Sequence, residues 1–77
     1  MAGTWKMIEL VGTSPVSFAE AVKNAVADAQ KTVRGMAWFE VVEQRGAIEG
    51  GAVKEFQVKI DVAFKVEVEG TGKKPRA

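Results

Sequence analysis

The 77-residue chain contains no cysteine and no histidine. It therefore forms no disulfide, thiolate nucleophile or histidine-based triad, and nearly every type of zinc site is excluded. Eleven basic and ten acidic residues give a net charge of only +1, so charge gives no reason to expect nucleic acid as the main partner. No apolar stretch approaches the ~20 residues of a membrane span, and no signal-peptide pattern opens the chain. We therefore expect a cytoplasmic protein that binds neither membrane nor nucleic acid.

The chain length fits one small domain, which we assign to residues 1–77. Folding a chain of this size buries only about 60% of the surface that the unfolded chain exposes, so the core is small. Small domains usually compensate with disulfides, a metal or oligomerisation. Since cysteine and histidine are absent, oligomerisation is the remaining solution.

Hydrophobic periodicity predicts an α+β fold of order β-α-β-β, in which a three-stranded antiparallel sheet partly wraps one helix. The predicted elements are strands over 5–11, 36–44 and 53–68, a helix over 18–34, a turn over 12–15, a loop over 46–51 and a flexible basic tail over 70–77. Ser17 and Glu20 form a capping box that starts the helix. Gly35 is its expected stop, and basic residues gather in its last turn.

The third predicted strand is longer than the helix can cover. Every second residue from Phe56 to Val68 is apolar, which gives this strand a continuous apolar row. The strand spans about 50 Å at ~3.3 Å per residue, whereas the helix spans only about 25 Å. A second chain must cover the remainder, because an exposed apolar strip of this length would aggregate. A monomer whose sheet coils strongly around the helix is the alternative.

Trp38 fits a monomeric core poorly. Strict alternation puts one set of second-strand residues on the helix side (Ala37, Phe39, Val41) and another on the outer side (Met36, Trp38, Glu40, Val42, Gln44). Gln57 lies on the outer side of the third strand. An indole for stacking and an amide for edge hydrogen bonds suit a planar heteroaromatic ligand. A bulge near Gly46 would reverse this assignment, and the alternatives are a packing Trp38 and a solvated Gln57.

Other side chains give weaker signals. Trp5 is interpreted as a packing residue at an edge or interface. Arg45 is nominally a surface cation, although its forked donors suit a phosphate or carboxylate. The serines and threonines have no histidine to activate them, and the glycine-rich stretch 46–51 does not lead from a strand into a helix, as a phosphate-binding loop would. The residues therefore support no enzymatic activity.

Several segments resemble the dodecins, a family of small flavin-binding proteins with the same β-α-β-β order and similar length. These segments are Leu10-Val-Gly-Thr-Ser14, Ser17-Phe18, Lys31-Thr-Val-Arg34, Trp38-Phe-Glu-Val-Val42, Glu43-Gln-Arg-Gly46 and Glu55-Phe-Gln-Val58. The resemblance extends over residues 5–68. Its more specific part is the Trp-x-Glu-Val block with a glutamine nineteen residues after the tryptophan.

This resemblance implies a hollow homododecamer that binds flavin in stacked pairs between subunits. It implies that Trp38 stacks on the isoalloxazine ring, that Gln57 hydrogen-bonds the pyrimidine edge of the ring, and that Ala37 lines the pocket through its backbone. Arg45 matches an arginine near the flavin phosphate, which favours FMN, with riboflavin or FAD as alternatives. Lys65 falls where some relatives carry an arginine. The positive charge is therefore kept, but the forked hydrogen-bond donors of a guanidinium are lost.

The resemblance also implies coenzyme A as a possible second ligand, since some bacterial dodecins bind it through basic helix residues. Here Asp28 stands where a basic residue would help, and Lys31 and Arg34 are poorer candidates. The implied function is storage, sequestration and photoprotective buffering of FMN, because tight stacking keeps a substrate from the ring face. A small flavin-dependent redox enzyme and a ligand-free oligomeric module are the alternatives.

Overall fold

A computed structural model describes residues 3–66, which form three strands and one helix. The elements are β1 (Trp5–Ser14), α1 (Phe18–Ala29), β2 (Met36–Glu49) and β3 (Ala52–Lys65). All strand pairs are antiparallel, with β3 between β1 and β2. The predicted fold class and element order are therefore confirmed. The tail predicted over 70–77 lies outside the described residues.

Helix α1 packs against β1 and β3. The buried core consists of alanines from the helix and branched residues from β3, namely Ala21, Ala25, Val58, Ile60 and Val62. The alanines let the helix backbone approach β1 closely: a Cβ added to Gly12 would lie 2.0 Å from the carbonyl oxygen of Ala21. The prediction of a turn starting at Gly12 is wrong, because β1 continues to Ser14. Gly12 lies within this strand, and its lack of a side chain leaves room for the helix backbone. No helix within residues 3–66 has the length and apolarity to cross a membrane.

The start of α1 confirms half of the predicted capping box. Ser17 is the N-cap, and its Oγ accepts a hydrogen bond from the backbone N–H of Glu20 at 3.0 Å. The backbone N–H of Ser17 donates to Oγ of Ser14 at 3.5 Å, in place of the Glu20 carboxylate that the capping box would supply. Ser14 thus links the end of β1 to the start of the helix.

The helix ends at Ala29, five residues before the predicted end at Arg34. The backbone N–H groups of Thr32 and Val33 both donate to the carbonyl of Ala29, which closes the last turn tightly. The last turn contains no basic residue, so the predicted pairing of cations with the helix dipole is wrong. Gly35 has a φ of +76°, but it lies in the connection to β2 and does not cap the helix.

A two-residue turn joins β2 to β3. Gly50 and Gly51 have φ values of +62° and +78°, as a type I′ turn requires at both central positions. The loop predicted over 46–51 is wrong, because β2 continues through Glu49 and β3 begins at Ala52. The glycines at 50 and 51 alone make the turn.

Two extra residues in β2 shift its register against β3. Pairing jumps between Met36 and Trp38 and again between Val41 and Glu43, so that Ala37 and Val42 are bulges. A third irregularity lies between 47 and 48. The pairs with β3 confirm that Phe39 and Val41 face the helix side and that Trp38 and Glu40 face outward, whereas Met36 and Gln44 face the helix side and were predicted wrongly.

The helix leaves much of the sheet uncovered. Its twelve residues span about 18 Å, whereas β2 and β3, with fourteen residues each, span about 46 Å. Phe39 and Val41 lie on the helix side of β2, and each is 46% exposed. The structure therefore agrees with the predicted need for a second chain over this apolar surface.

Candidate functional site

The candidate site lies on the outer face, by which we mean the side of the sheet opposite α1. Trp38 pairs with Ala63 near one end of this face, and Arg45 pairs with Gln57 toward the other end. Ala63 and Gln57 are six residues apart along β3, which corresponds to about 20 Å. The structure therefore places Trp38 and Gln57 on the same face, as predicted, but does not bring them together within one chain.

The Trp38 end contains a pair of indoles. Trp38 is 46% exposed, and its ring centroid lies 4.7 Å from that of Trp5, with an angle of 54° between the ring planes. The ammonium of Lys65 lies 5.9 Å from the centre of the Trp5 ring, within the range of a cation–π interaction. Ala63 is fully buried although it faces outward, because larger side chains close over it.

Trp5 lies next to Trp38, a proximity that the sequence did not indicate. Its interpretation as a packing residue at an edge agrees with its place on edge strand β1 and its contact with the Trp38 ring. The pairing of Trp5 with Lys65 in the β1–β3 ladder is what brings it to the Trp38 end. A tryptophan on each edge strand, one paired with Lys65 and the other with Ala63 two residues away on the central strand, is the signal that could have found it.

The Gln57 end contains a chain of hydrogen bonds. Nε–H of Arg45 donates to Oε1 of Gln57 at 2.7 Å, and Nε2–H of Gln57 donates to Oε1 of Glu55 at 2.9 Å. Arg45 also contacts the carboxylate of Glu43 at 3.5 Å. Because one neighbour is a donor and the other an acceptor, they fix the orientation of the Gln57 amide. One N–H and one oxygen lone pair of this amide remain for a ligand.

Charged residues lie between the two ends. Asp61 pairs with Glu9 on one side and with Glu40 on the other, so three carboxylates cross the outer face in a row. Lys59 lies next to this row. Its ammonium is 3.9 Å from the carboxylate of Glu9 and 3.7 Å from that of Glu43. Across residues 3–66, no group of three or more acidic side chains is arranged to hold a metal ion.

The other two predicted site residues, Ala37 and Lys65, both lie toward the Trp38 end of the outer face. Ala37 has no partner in β3, because it is the bulge that precedes Trp38, and its backbone is therefore outside the regular ladder. Lys65 lies at the Trp38 end, eight residues along β3 from Gln57, the partner of Arg45. The two candidate phosphate-binding cations, Arg45 and Lys65, thus lie at opposite ends of the face in one chain.

The concave regions of the single chain do not hold the whole candidate site. A hollow of about 540 Å³ lies between β1 and α1, where Nδ2–H of Asn24 donates to the carbonyl of Thr13 at 2.9 Å. A smaller groove of about 120 Å³ includes Ala37 and Trp38 at the start of β2. Arg45 and Gln57 line neither of them. Within residues 3–66, Arg45 and Gln57 therefore lie on an open face and outside both of these hollows.

A small α+β fold with an exposed indole and an oriented amide on an open sheet is typical of a binding protein. The dodecin family model matches residues 4–67, and the chain belongs to the dodecin family. The chain is 46% identical over 67 residues to the dodecin of Thermus thermophilus, covering 87% of this chain and 97% of that protein. The solved structure of the dodecin from Streptomyces coelicolor superposes with a TM-score of 0.82 at 44% identity, covering 86% of this chain and 94% of that one.

The ligand differs within the family. The chain is also 32% identical over 62 residues to the calcium dodecin of Mycobacterium tuberculosis, covering 80% of this chain and 87% of that protein. Family membership therefore identifies a small, self-associating ligand-binding protein. The nature of its ligand has to be argued from the residues of this chain.

Proposed function

We propose that the protein binds FMN between copies of itself and stores it in a dodecameric shell. The observation that carries this proposal is the separation of Trp38 and Gln57 on one face. About 20 Å exceeds the length of a three-ring heteroaromatic system, so no single flavin ring contacts both residues of one chain. A complete site needs Trp38 from one copy and Gln57 from another.

A two-fold axis between the two ends completes the site. Such an axis, lying over the outer face at right angles to the strands and at the level of Ile60, midway between Gln57 and Ala63, brings the Gln57 end of a second copy to the Trp38 end of the first. Because a two-fold contact is self-complementary, it creates two identical sites for each pair of chains. Each site then combines Trp38 and Lys65 of one copy with Arg45 and Gln57 of the other. The two cations that are separated in one chain thereby meet at the same ligand.

The chemistry of these groups suits a flavin. An indole that is half exposed offers a flat surface for stacking. The free N–H and lone pair of the Gln57 amide match the carbonyl and imide N–H at the pyrimidine edge of the isoalloxazine ring. The guanidinium of Arg45 retains N–H groups beyond those that contact Gln57 and Glu43, and these suit a phosphate. FMN is therefore favoured over riboflavin.

Storage follows from the same arrangement. A ring that is stacked on Trp38 and covered by a second subunit offers no open face to a substrate. The electron-rich indole beside the ring quenches the excited flavin by donating an electron, which limits photochemistry. Coenzyme A gains no support from the geometry, because Lys31 is paired with Asp28 at 3.6 Å and lies beyond the helix end.

The test is a titration of FMN fluorescence with the purified, flavin-free protein. We expect quenching that saturates at one FMN per chain, with riboflavin binding more weakly because it lacks the phosphate. Unquenched FMN at all protein concentrations would contradict the proposal, and so would substrate-dependent flavin reduction at an enzymatic rate.

A further inference from the structure

Trp5 and Trp38 contact each other across the central strand. They belong to β1 and β2, which do not pair with each other, and β3 lies between them. The contact at 4.7 Å forms above β3, where the fully buried Ala63 pairs with Trp38. A methyl group at this position leaves room for the two indoles, whereas a larger side chain would separate them.

The surroundings restrict the Trp5 side chain more than the Trp38 side chain. Trp5 is less exposed than Trp38 and carries the Lys65 ammonium over its ring. Trp38 belongs to an edge strand, follows the bulge at Ala37 and is 46% exposed. An exposed indole on an edge strand has several open rotamers, so its contact with Trp5 restricts its orientation in the free chain.

We infer that Trp5 is a positioning residue for the ligand site: it holds the Trp38 indole ready for stacking. The inference rests on the proposed function for the identity of the ligand. A third ring stacked between two others needs about 7 Å, because nonbonded carbons lie about 3.5 Å apart. At 4.7 Å the pair therefore acts as one aromatic surface, and the ligand stacks on the side of Trp38 that Trp5 leaves open.

The chain provides its own reporter for this role. Trp5 and Trp38 are its two tryptophans, so the emission of any Trp5 variant comes from Trp38 alone. The experiment compares Trp5→Phe, which keeps an aromatic ring, with Trp5→Ala, which removes it. Val11→Ala in the Trp5→Phe background is the matched control, because Val11 is an exposed apolar residue of β1 that pairs with Lys59, away from Trp38.

The first measurement is the time-resolved fluorescence anisotropy of Trp38 in the flavin-free assembly. We expect a larger fast depolarisation, which reports local motion of the indole, in Trp5→Ala than in Trp5→Phe. The Val11→Ala control should match Trp5→Phe. Equal local motion in all three variants, with equal assembly size, would overturn the inference.

The second measurement is FMN affinity. Loss of an aromatic pair corresponds to an affinity loss of about two- to tenfold, so Trp5→Ala should bind FMN more weakly by about this factor and Trp5→Phe should largely restore it. Equal affinity of Trp5→Ala and the wild type would overturn the inference. Failure of the wild type to bind FMN would instead refute the proposed function, and the anisotropy would still decide whether Trp5 positions Trp38.

Discussion

Arg45 donates its Nε–H to Oε1 of Gln57 at 2.7 Å, and this bond depends on the bulge at Val42. Strict alternation from Trp38 would place Arg45 on the helix side of β2. The extra residue at 42 reverses the alternation, so that Arg45 pairs with Gln57 on the outer face. One inserted residue thus decides which side chain orients the amide of the proposed ligand site.

Substituting Arg45→Lys should weaken FMN binding, because an ammonium cannot reproduce the forked contact with Gln57 and a phosphate together. We expect a loss of about 1 kcal/mol or more, which is roughly fivefold in affinity. Fluorescence titration with FMN and riboflavin measures the effect. Arg34→Lys, which makes the same chemical change in the connection between α1 and β2, is the control, and an equal effect of both substitutions would argue against a specific role of Arg45.

Substituting Trp38→Ala should weaken FMN binding most strongly, because it removes the stacking surface. Stacking of a heteroaromatic base on an aromatic side chain is worth about 1–3 kcal/mol, so the affinity should fall by a factor of about 5 to 150. The control is Phe39→Ala, since Phe39 is the next residue, has the same 46% exposure and faces the helix side.

The two substitutions should differ in size-exclusion behaviour, and Phe39→Ala should lower FMN binding only as far as it lowers the fraction of assembled protein. Trp38→Ala should keep the assembly and lose the flavin. Phe39→Ala should weaken the assembly, because it removes apolar surface that we expect another chain to cover. A Trp38→Ala variant that binds FMN like the wild type would show that Trp38 is only a packing residue.

Gly12→Ala should destabilise the protein by about 3 kcal/mol or more, since the added Cβ would lie 2.0 Å from the backbone oxygen of Ala21 and the helix would have to move away from β1. Thermal unfolding, or the yield of folded protein, measures this effect. Thr13→Ala is the control: the Thr13 side chain is exposed, and its contact to Asn24 uses the backbone carbonyl. A stable Gly12→Ala variant would mean that the helix packs less closely than described.

Ser17→Ala should cost about 1 kcal/mol of unfolding free energy, because it removes the side-chain acceptor of the Glu20 N–H. Ser17→Asp should restore most of this stability, since a carboxylate at the N-cap also accepts that hydrogen bond and interacts favourably with the helix dipole. Chemical denaturation of all three proteins tests the pair. Equal stabilities would show that the helix start is held by Ser14 alone.

The sequence predicted the elements with strong periodicity and missed the features that depend on single residues. Alternation in β3 and the apolar stripe of α1 are properties of many side chains together, so they indicated the fold. The alternation of β2, with Glu40 in the same set as Trp38, indicated the outward position of Trp38. The bulges at Ala37 and Val42 leave no mark in composition. Consequently Met36 and Gln44 were assigned to the wrong side, and the contact of Arg45 with Gln57 was not foreseen.

The structural roles of the glycines also could not be predicted from the sequence. The sequence indicated a turn over 12–15 and a loop over 46–51, but Gly12 allows close packing of the helix and Gly46 lies within β2. The contact between Trp5 and Trp38 was missed for a related reason, because strand order and register must be known before residues of β1 and β2 can be placed side by side.

The most direct test of a flavin site between chains is size-exclusion chromatography of the protein mixed with FMN, recorded in both the protein and the flavin absorbance bands. We expect one yellow peak near twelve times the chain mass of 8.3 kDa, because the proposed assembly is a dodecamer whose ligand sites each combine side chains from two copies. A large colourless peak would support the assembly but contradict flavin binding. A monomer peak that carries flavin would contradict the central claim that the site forms between chains.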